Sequence, residues 1–242
     1  MNYAVSDLHG YPVEKFKEQL VDAGFSDADT LFVLGDVIDR GNDGVKLLQW
    51  MIQQSNVRPV LGNHEQMMLK CAFLFERNNG TFSMEQRRKW SEWRANGGSL
   101  TLDALYDLPS SERRELFDYV RSFPLFREVS CNGMEYLLTH SGISHFHPDK
   151  PLTAYHSDDF LWHRPKIHDR YYDDKTVIFG HTPTAVFDSA YEGKPYITET
   201  WIDIDAGTAS GCSPLLIRLE DRNIFPKSQN NKGVSKNVKC CN

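Results

Sequence analysis

At 242 residues, with 40% hydrophobic and 25% charged side chains, the chain carries enough apolar material for one sizeable core and shows no fibrous or unfolded bias. Its formal charge of −6 argues against a basic groove for nucleic acid, and its five cysteines, scattered except for Cys240-Cys241, suggest neither a disulfide framework nor a zinc knuckle. No apolar run approaches a membrane span and the N-terminus lacks a secretory pattern, so a cytoplasmic setting without nucleic-acid or membrane partners is expected.

Residues 2–6 read as a strand running into Asp7-Leu8-His9-Gly10. Pro12 can open a helix in which Val13, Phe16, Leu20 and Val21 recur at helical spacing until Gly24 ends it. A second buried strand over 30–34 ends at Gly35-Asp36, a helix follows over 45–52, and a third strand over 57–61 ends at Gly62-Asn63. The polar motifs thus fall at strand ends, where open α/β sheets converge their loops into a site. From 66 to 121 the pattern is mainly helical, interrupted by Asn78-Asn79-Gly80, Asn96-Gly97-Gly98 and Pro109-Ser110, and is read as an inserted helical cap. Strands return over 135–139, 176–179, 200–204 and 214–219. The stretch 226–242 is polar and basic and is expected to be a flexible tail behind a catalytic domain of residues 1–225.

Asp7 and His9 place a carboxylate and an imidazole on one turn, a pair able to chelate a divalent metal. Gly35-Asp36-Val37-Ile38-Asp39-Arg40-Gly41 adds a carboxylate able to bridge two ions and a guanidinium able to clamp a phosphoryl group. Gly62-Asn63-His64-Glu65 adds an amide oxygen and another imidazole, and His140 and His181 follow two later strands, where they can complete the ligand set of a second metal ion. Any one of these residues alone is more often a cap, turn or surface group; their coordination in five motifs outweighs that reading.

The ordered set Asp-x-His-Gly, Gly-Asp-x-x-Asp-Arg-Gly, Gly-Asn-His-Glu, His-Ser-Gly and Gly-His resembles the phosphoprotein phosphatase branch of the metallophosphoesterases. Gly-Asn-His-Glu-Gln-Met-Met, Asn96-Gly97-Gly98 and Leu161-Trp162-His163-Arg164 are similar to signatures of its small bacterial and phage-lambda-type serine/threonine protein phosphatases. Ser6 stands where the first motif usually has glycine.

The resemblance implies an α/β sandwich of mixed β-sheets flanked by helices, with two divalent metal ions. Manganese is the first expectation, and iron or zinc also suit mixed Asp, Asn and His ligands. Asp7, His9 and Asp36 would bind one ion, and Asp36, Asn63, His140 and His181 the other, with Asp36 as bridge and a shared hydroxide as nucleophile. Arg40 and Arg164 would hold the phosphoryl oxygens. His64 would be the general acid, with Asp39 orienting its ring and favouring imidazolium.

For Arg164 the competing reading is stacking on Trp162. Trp90 and Trp93 are read as anchors of the cap core, and Asn96-Gly97-Gly98 as a helix-ending turn. Asp203 and Asp205 are expected to hydrogen-bond a neighbouring histidine or loop. The expected activity is metal-dependent phosphomonoester hydrolysis by a serine/threonine protein phosphatase of broad tolerance. The substrate would be a phosphorylated protein or a small phosphate ester. A nucleotide phosphohydrolase related to the diadenosine tetraphosphate hydrolases is the second reading, and a catalytically silent phosphoprotein-binding module the third.

Overall fold

The computed structural model of the chain describes residues 1–76 and 81–226. Two five-stranded mixed sheets face each other. In the first, β1 (Asn2–Val5), β2 (Thr30–Val33) and β3 (Val57–Pro59) run parallel in the order β1-β2-β3. At the open edge of β1, the antiparallel strands Leu216–Arg218 and Asn223–Phe225 extend this sheet.

In the second sheet β4 (Phe126–Cys131) pairs antiparallel with β5 (Met134–Thr139), which runs parallel to β6 (Thr176–Phe179). Beyond β6 come β8 (Trp201–Asp203), parallel to it, and the two-residue edge strand β7 (Tyr196–Ile197). The two strands at the edge of the first sheet are then β9 (Leu216–Arg218) and β10 (Asn223–Phe225).

Strand alternation sets the layers. Ala4, Phe32, Leu138, Ile178, Ile202 and Ile217 point into one buried cluster between the sheets. Their neighbours Tyr3, Val5, Leu31 and Val33 face the other way, into a second cluster shared with helices. Leu137, Val177, Phe179 and Trp201 leave the second sheet on its far side, where they meet Phe160 and Tyr171.

The helices on the first sheet are α1 (Val13–Asp22), α2 (Gly44–Ile52), α3 (Asn63–Lys70), α4 (Met84–Ala95), α5 (Ser99–Asp107) and α6 (Ser110–Arg121). Helix α1 buries Val13, Phe16 and Leu20, three of the four positions expected from helical spacing, while Val21, next to Leu20 and turned off that face, is exposed. The helical stretch expected over 66–121 starts at Asn63. Its Trp93, Leu105, Leu116, Phe117 and Val120 belong to the same buried cluster as Val5, Leu8 and Leu47. Trp93 is the one buried residue of α4, and that helix is fixed at its start by a reciprocal cap between Ser83 and Gln86.

Three strands escaped the sequence reading. β4 and β5 form a hairpin through Asn132-Gly133, both at positive φ, and Asn-Gly is the strongest short-range hairpin signal a sequence offers. β7 and β10 are two and three residues long, too short to display a period. A five-residue helix, α7 (Ser157–Leu161), was also unread. The expected turn at Asn78-Asn79-Gly80 lies outside the described residues, as do residues 227–242 of the expected tail.

Candidate metal centre

The five motifs meet because each follows the carboxyl end of a parallel strand: β1, β2 and β3 in one sheet, β5 and β6 in the other. The first two loops are laced together, with His9 N donating to Asp36 O at 2.8 Å and Gly10 N to Val37 O at 2.8 Å. Asp7, His9, Asp36, Asp39, Arg40 and His181 all have positive φ between 43° and 71°. That conformation is costly for side-chain-bearing residues and persists only where surroundings enforce it.

At Asp36 the enforcement comes from Glu65, which is wholly buried. One of its carboxylate oxygens accepts Asp36 N at 2.8 Å and Gly62 N at 3.1 Å; the other accepts Val37 N at 2.9 Å and Ile38 N at 3.2 Å. The loops approach so closely that a side chain at Gly35 would place its Cβ 2.5 Å from Gly62 Cα and 2.8 Å from His140 Nδ1.

Two buried donor groups result, His9–Asp36–His64 and Asp36–His140–His181, and they share Asp36. His140 Nδ1 lies 2.8 Å from the carbonyl oxygen of Leu34, which can only accept, so Nδ1 carries the proton and Nε2 keeps its lone pair. That lone pair faces Asn63 Oδ1 at 2.8 Å and Asp36 Oδ1 at 3.4 Å, and His181 Nδ1 stands 3.1 Å from the same Asn63 oxygen. By the same logic Ile38 O fixes His9 Nδ1 as donor. The His9 Nε2 lone pair then lies 3.7 Å from both Asp7 Oδ1 and Asp36 Oδ2.

Lone pairs converging on lone pairs are what a cation requires. The electrostatics agree. Burial raises the Asp36 carboxyl well above its usual range, reinforced by Asp7 and Glu65; burial and then Asp205 do the same to Asp7. Burial pushes His140 down to about 3, and burial followed by His140 pushes His181 down to about 2. Neutral imidazoles beside buried carboxylates whose charge Arg40 offsets only in part fit divalent metal ions.

His64, a member of the first group, and the remaining site residues complete the site. His64 Nδ1 donates to Asp39 Oδ2 at 2.7 Å, leaving Nε2 directed toward the donor set, 3.8 Å from Asp36 Oδ2. Arg40 is exposed and reaches inward, its two terminal nitrogens each 3.1 Å from an imidazole Nε2, one of His9 and one of His64. Arg164 stands at the other group, with Nη1 donating to the His181 carbonyl oxygen at 3.3 Å. Trp162 instead meets His181 edge to face, with ring centroids 6.1 Å apart.

Sequence reasoning missed two residues. Glu65 stood in view in Gly-Asn-His-Glu, at the third position of a helix where a carboxylate reaches back to free amides. Trp93, read as an anchor of the core, also donates its indole N–H to Asp39 Oδ2 at 2.8 Å. Asp203 and Asp205 bond their own loop, accepting Asp205 N at 2.8 Å and Gly207 N at 2.9 Å. Ser6 donates to Asp7 Oδ2, so the serine at the usual glycine position engages the motif carboxylate.

The symmetrical bis(5'-nucleosyl)-tetraphosphatase of Acidovorax ebreus (strain TPSY) is 33% identical over 144 residues, covering 58% of this chain and 43% of that protein. Serine/threonine-protein phosphatase 2 of Escherichia coli (strain K12) is 29% identical over 143 residues, 57% of each chain. The chain thus spans less than half the length of the tetraphosphatase it matches. A solved structure provisionally named a diadenosine tetraphosphatase superposes with a TM-score of 0.63 over 93% of this chain and 91% of that one, at 17% identity. A serine/threonine phosphatase from Saccharomyces cerevisiae superposes at 0.54 over 84% of this chain and 65% of its own, at 14% identity. The family model for calcineurin-like phosphoesterases matches residues 3–202. With most of the sequence matched and a buried set of metal donors at its strand ends, the chain belongs to the calcineurin-like metallophosphoesterases, hydrolases of phosphate esters.

Proposed function

We propose that the protein is a phosphomonoesterase acting on phosphoserine and phosphothreonine in proteins, with tolerance for phosphotyrosine and small phosphate esters. The observation that carries this reading is Asp36 shared between two buried donor groups, with His64 Nε2 in the first of them, 3.8 Å from Asp36 Oδ2. In this reading Asp7, His9 and Asp36 hold one ion, and Asp36, Asn63, His140 and His181 the other. Bound divalent cations supply Lewis acidity toward the phosphoryl oxygens and make water a nucleophile near neutral pH; manganese is the first choice, with iron and zinc suited to the same donors.

The chain's own side chains do the rest. Arg40 and Arg164, one at each donor group, orient the phosphoryl oxygens and offset the charge of a loose transition state. His64, on taking a proton at Nε2 in place of the bond it now accepts from Arg40, hands that proton to the departing alkoxide, while Asp39 fixes the ring through Nδ1. A serine or threonine alkoxide is a poor leaving group and needs that proton.

Support for a protein substrate comes from phosphatase 2 of E. coli, whose match covers equal shares of both chains. The second reading, hydrolysis of a dinucleoside polyphosphate, draws on the 33% identity to a tetraphosphatase. Metal-reconstituted enzyme assayed on phosphoserine peptide, phosphotyrosine peptide and diadenosine tetraphosphate should give the highest kcat/KM on the phosphoserine peptide. A preference for the dinucleotide would replace the first reading by the second. Metal-loaded protein inert toward all three and toward an aryl phosphate would favour a phosphoprotein-binding module.

A further inference from the structure

We propose that Trp93 is a positioning residue for proton transfer, its indole N–H holding the Asp39 carboxylate that orients His64. This rests on the reading of His64 as the proton donor. Asp39 is fully buried, and its Oδ2 accepts two hydrogen bonds, from His64 Nδ1 at 2.7 Å and from Trp93 Nε1 at 2.8 Å. Its Oδ1 meets no donor among the described residues. Apart from His64, Trp93 is therefore, among the described residues, the one side chain that hydrogen-bonds this carboxylate. A carboxylate held by a single proton donor can turn about its own axis; a second donor on the same oxygen stops that rotation.

The rest of the α4–α5 corner is built to the same end. Thr101 of α5, itself buried, accepts Asp39 N on its hydroxyl at 3.0 Å, and Gly97 O accepts Arg40 N at 3.1 Å, so both left-handed residues are held from this corner. Gly98 lies flat on the indole: a Cβ there would stand 2.5 Å from Trp93 Nε1. Gly97, at φ +98°, would bring a Cβ within 2.8 Å of Arg40 Cγ. The turn Asn96-Gly97-Gly98 thus ends α4 and also seats the tryptophan and the arginine. A tryptophan needed only as apolar bulk would not require its one polar atom to aim at the orienting carboxylate.

The test compares Trp93→Phe with a site-specific replacement of Trp93 by benzothienylalanine, which keeps the bicyclic shape and lacks the N–H. Both proteins, with metal content measured, are assayed on a phosphoserine peptide and on p-nitrophenyl phosphate, whose leaving group departs without protonation. The expected result is a fall of about 10-fold in kcat/KM on the peptide, the scale of one hydrogen bond to a charged group, with little change on the aryl ester. In the metal-free protein the His64 Nδ1 proton resonance should move or broaden in both variants. Equal losses on both substrates, or an effect in Trp93→Phe that the benzothienyl protein lacks, would show that shape alone matters and overturn the proposal. His64→Asn serves as the reference. If it is selective for the peptide and the Trp93 variants are not, the positioning role alone falls; if it is not selective, the proton-donor reading falls and takes this inference with it.

Discussion

Asn63 and His140 face each other acceptor to acceptor, the Asn63 amide oxygen 2.8 Å from the His140 Nε2 whose lone pair is left bare by the Nδ1 bond to Leu34. Such a pair gains nothing from its own proximity and becomes favourable only with a cation between lone pairs. Asp36 extends the same logic to both donor groups. Asp36→Asn should therefore strip the site of both ions, whereas His181→Ala should retain about one, the ion held at the His9 side. Elemental analysis after dialysis against a weak chelator measures this directly. Equal metal content in the two variants would mean that Asp36 is no bridge.

Glu65 holds the backbone on which Asp36 stands. Replacing Glu65 by Gln puts an amide NH₂ against two of the four backbone N–H groups that the carboxylate now accepts, so donors face donors in a fully buried place. The expected loss is about 3 kcal/mol of unfolding free energy, the upper range for hydrogen bonds to a buried charge, together with weaker metal retention because either placement of the amide releases at least one N–H of the Asp36–Ile38 loop. Urea unfolding of the metal-free proteins gives the first quantity. A change below about 0.5 kcal/mol, the size of an ordinary surface substitution, would refute the role.

How much of this was legible beforehand depends on what the sequence can express locally. The parallel strands β1, β2, β5 and β6 announce themselves because buried strands are continuous apolar runs, and the motif residues follow at their ends. The grouping of Asp36 with His140 and His181 spans over a hundred residues, and it was readable only because the motifs come as a set. β4 shows the opposite limit: Arg127 and Glu128 blur its alternation, and its clearest signal lies in the turn at Asn132-Gly133. The Trp93–Asp39 bond was illegible for a different reason. An indole N–H gives no hint in sequence of which distant acceptor it will meet, and Trp93 satisfied the apolar role fully. Arg164 was ambiguous in sequence between phosphate and Trp162; in the fold it lies at the His181 backbone, beside the donor set.

His64 sits between two assignments, since its Nε2 lies near enough to His9 and Asp36 to count as a third donor, while its Nδ1 is tied to Asp39. His64→Asn separates them. As proton donor, His64 should be dispensable for metal content, and its loss should slow hydrolysis of alkyl phosphates by roughly 10²–10⁴ while leaving aryl phosphates far less affected. Loss of an ion from the purified variant would instead make His64 a ligand. Full activity on phosphoserine would exclude both.

The buried imidazoles also predict an acid sensitivity of the metal-free protein. His140, with an ordinary value near 6.5, is held down to about 3 by burial, so between those limits the unfolded chain binds a proton that the folded chain refuses. Stability must then fall as pH falls, by about 1.4 kcal/mol per pH unit for this one group, and the loss stops below about 3. His181 acts in the same direction down to about 2. Asp7 and Asp36 oppose it, because carboxyls raised in the folded state bind protons more readily there and add stability as pH drops through their folded values toward 3.8. The His140 contribution is isolated by comparison with His140→Gln, which removes the titrating group and keeps a polar side chain in its place. Between pH 6 and 4, the unfolding free energy of the wild-type protein should lose ground to that of the variant by about 1.4 kcal/mol per unit, in the presence of chelator. Parallel stability curves would mean that His140 takes up its proton in the folded state as easily as in water. That would contradict its burial, which outweighs the Leu34 hydrogen bond that by itself favours the protonated ring.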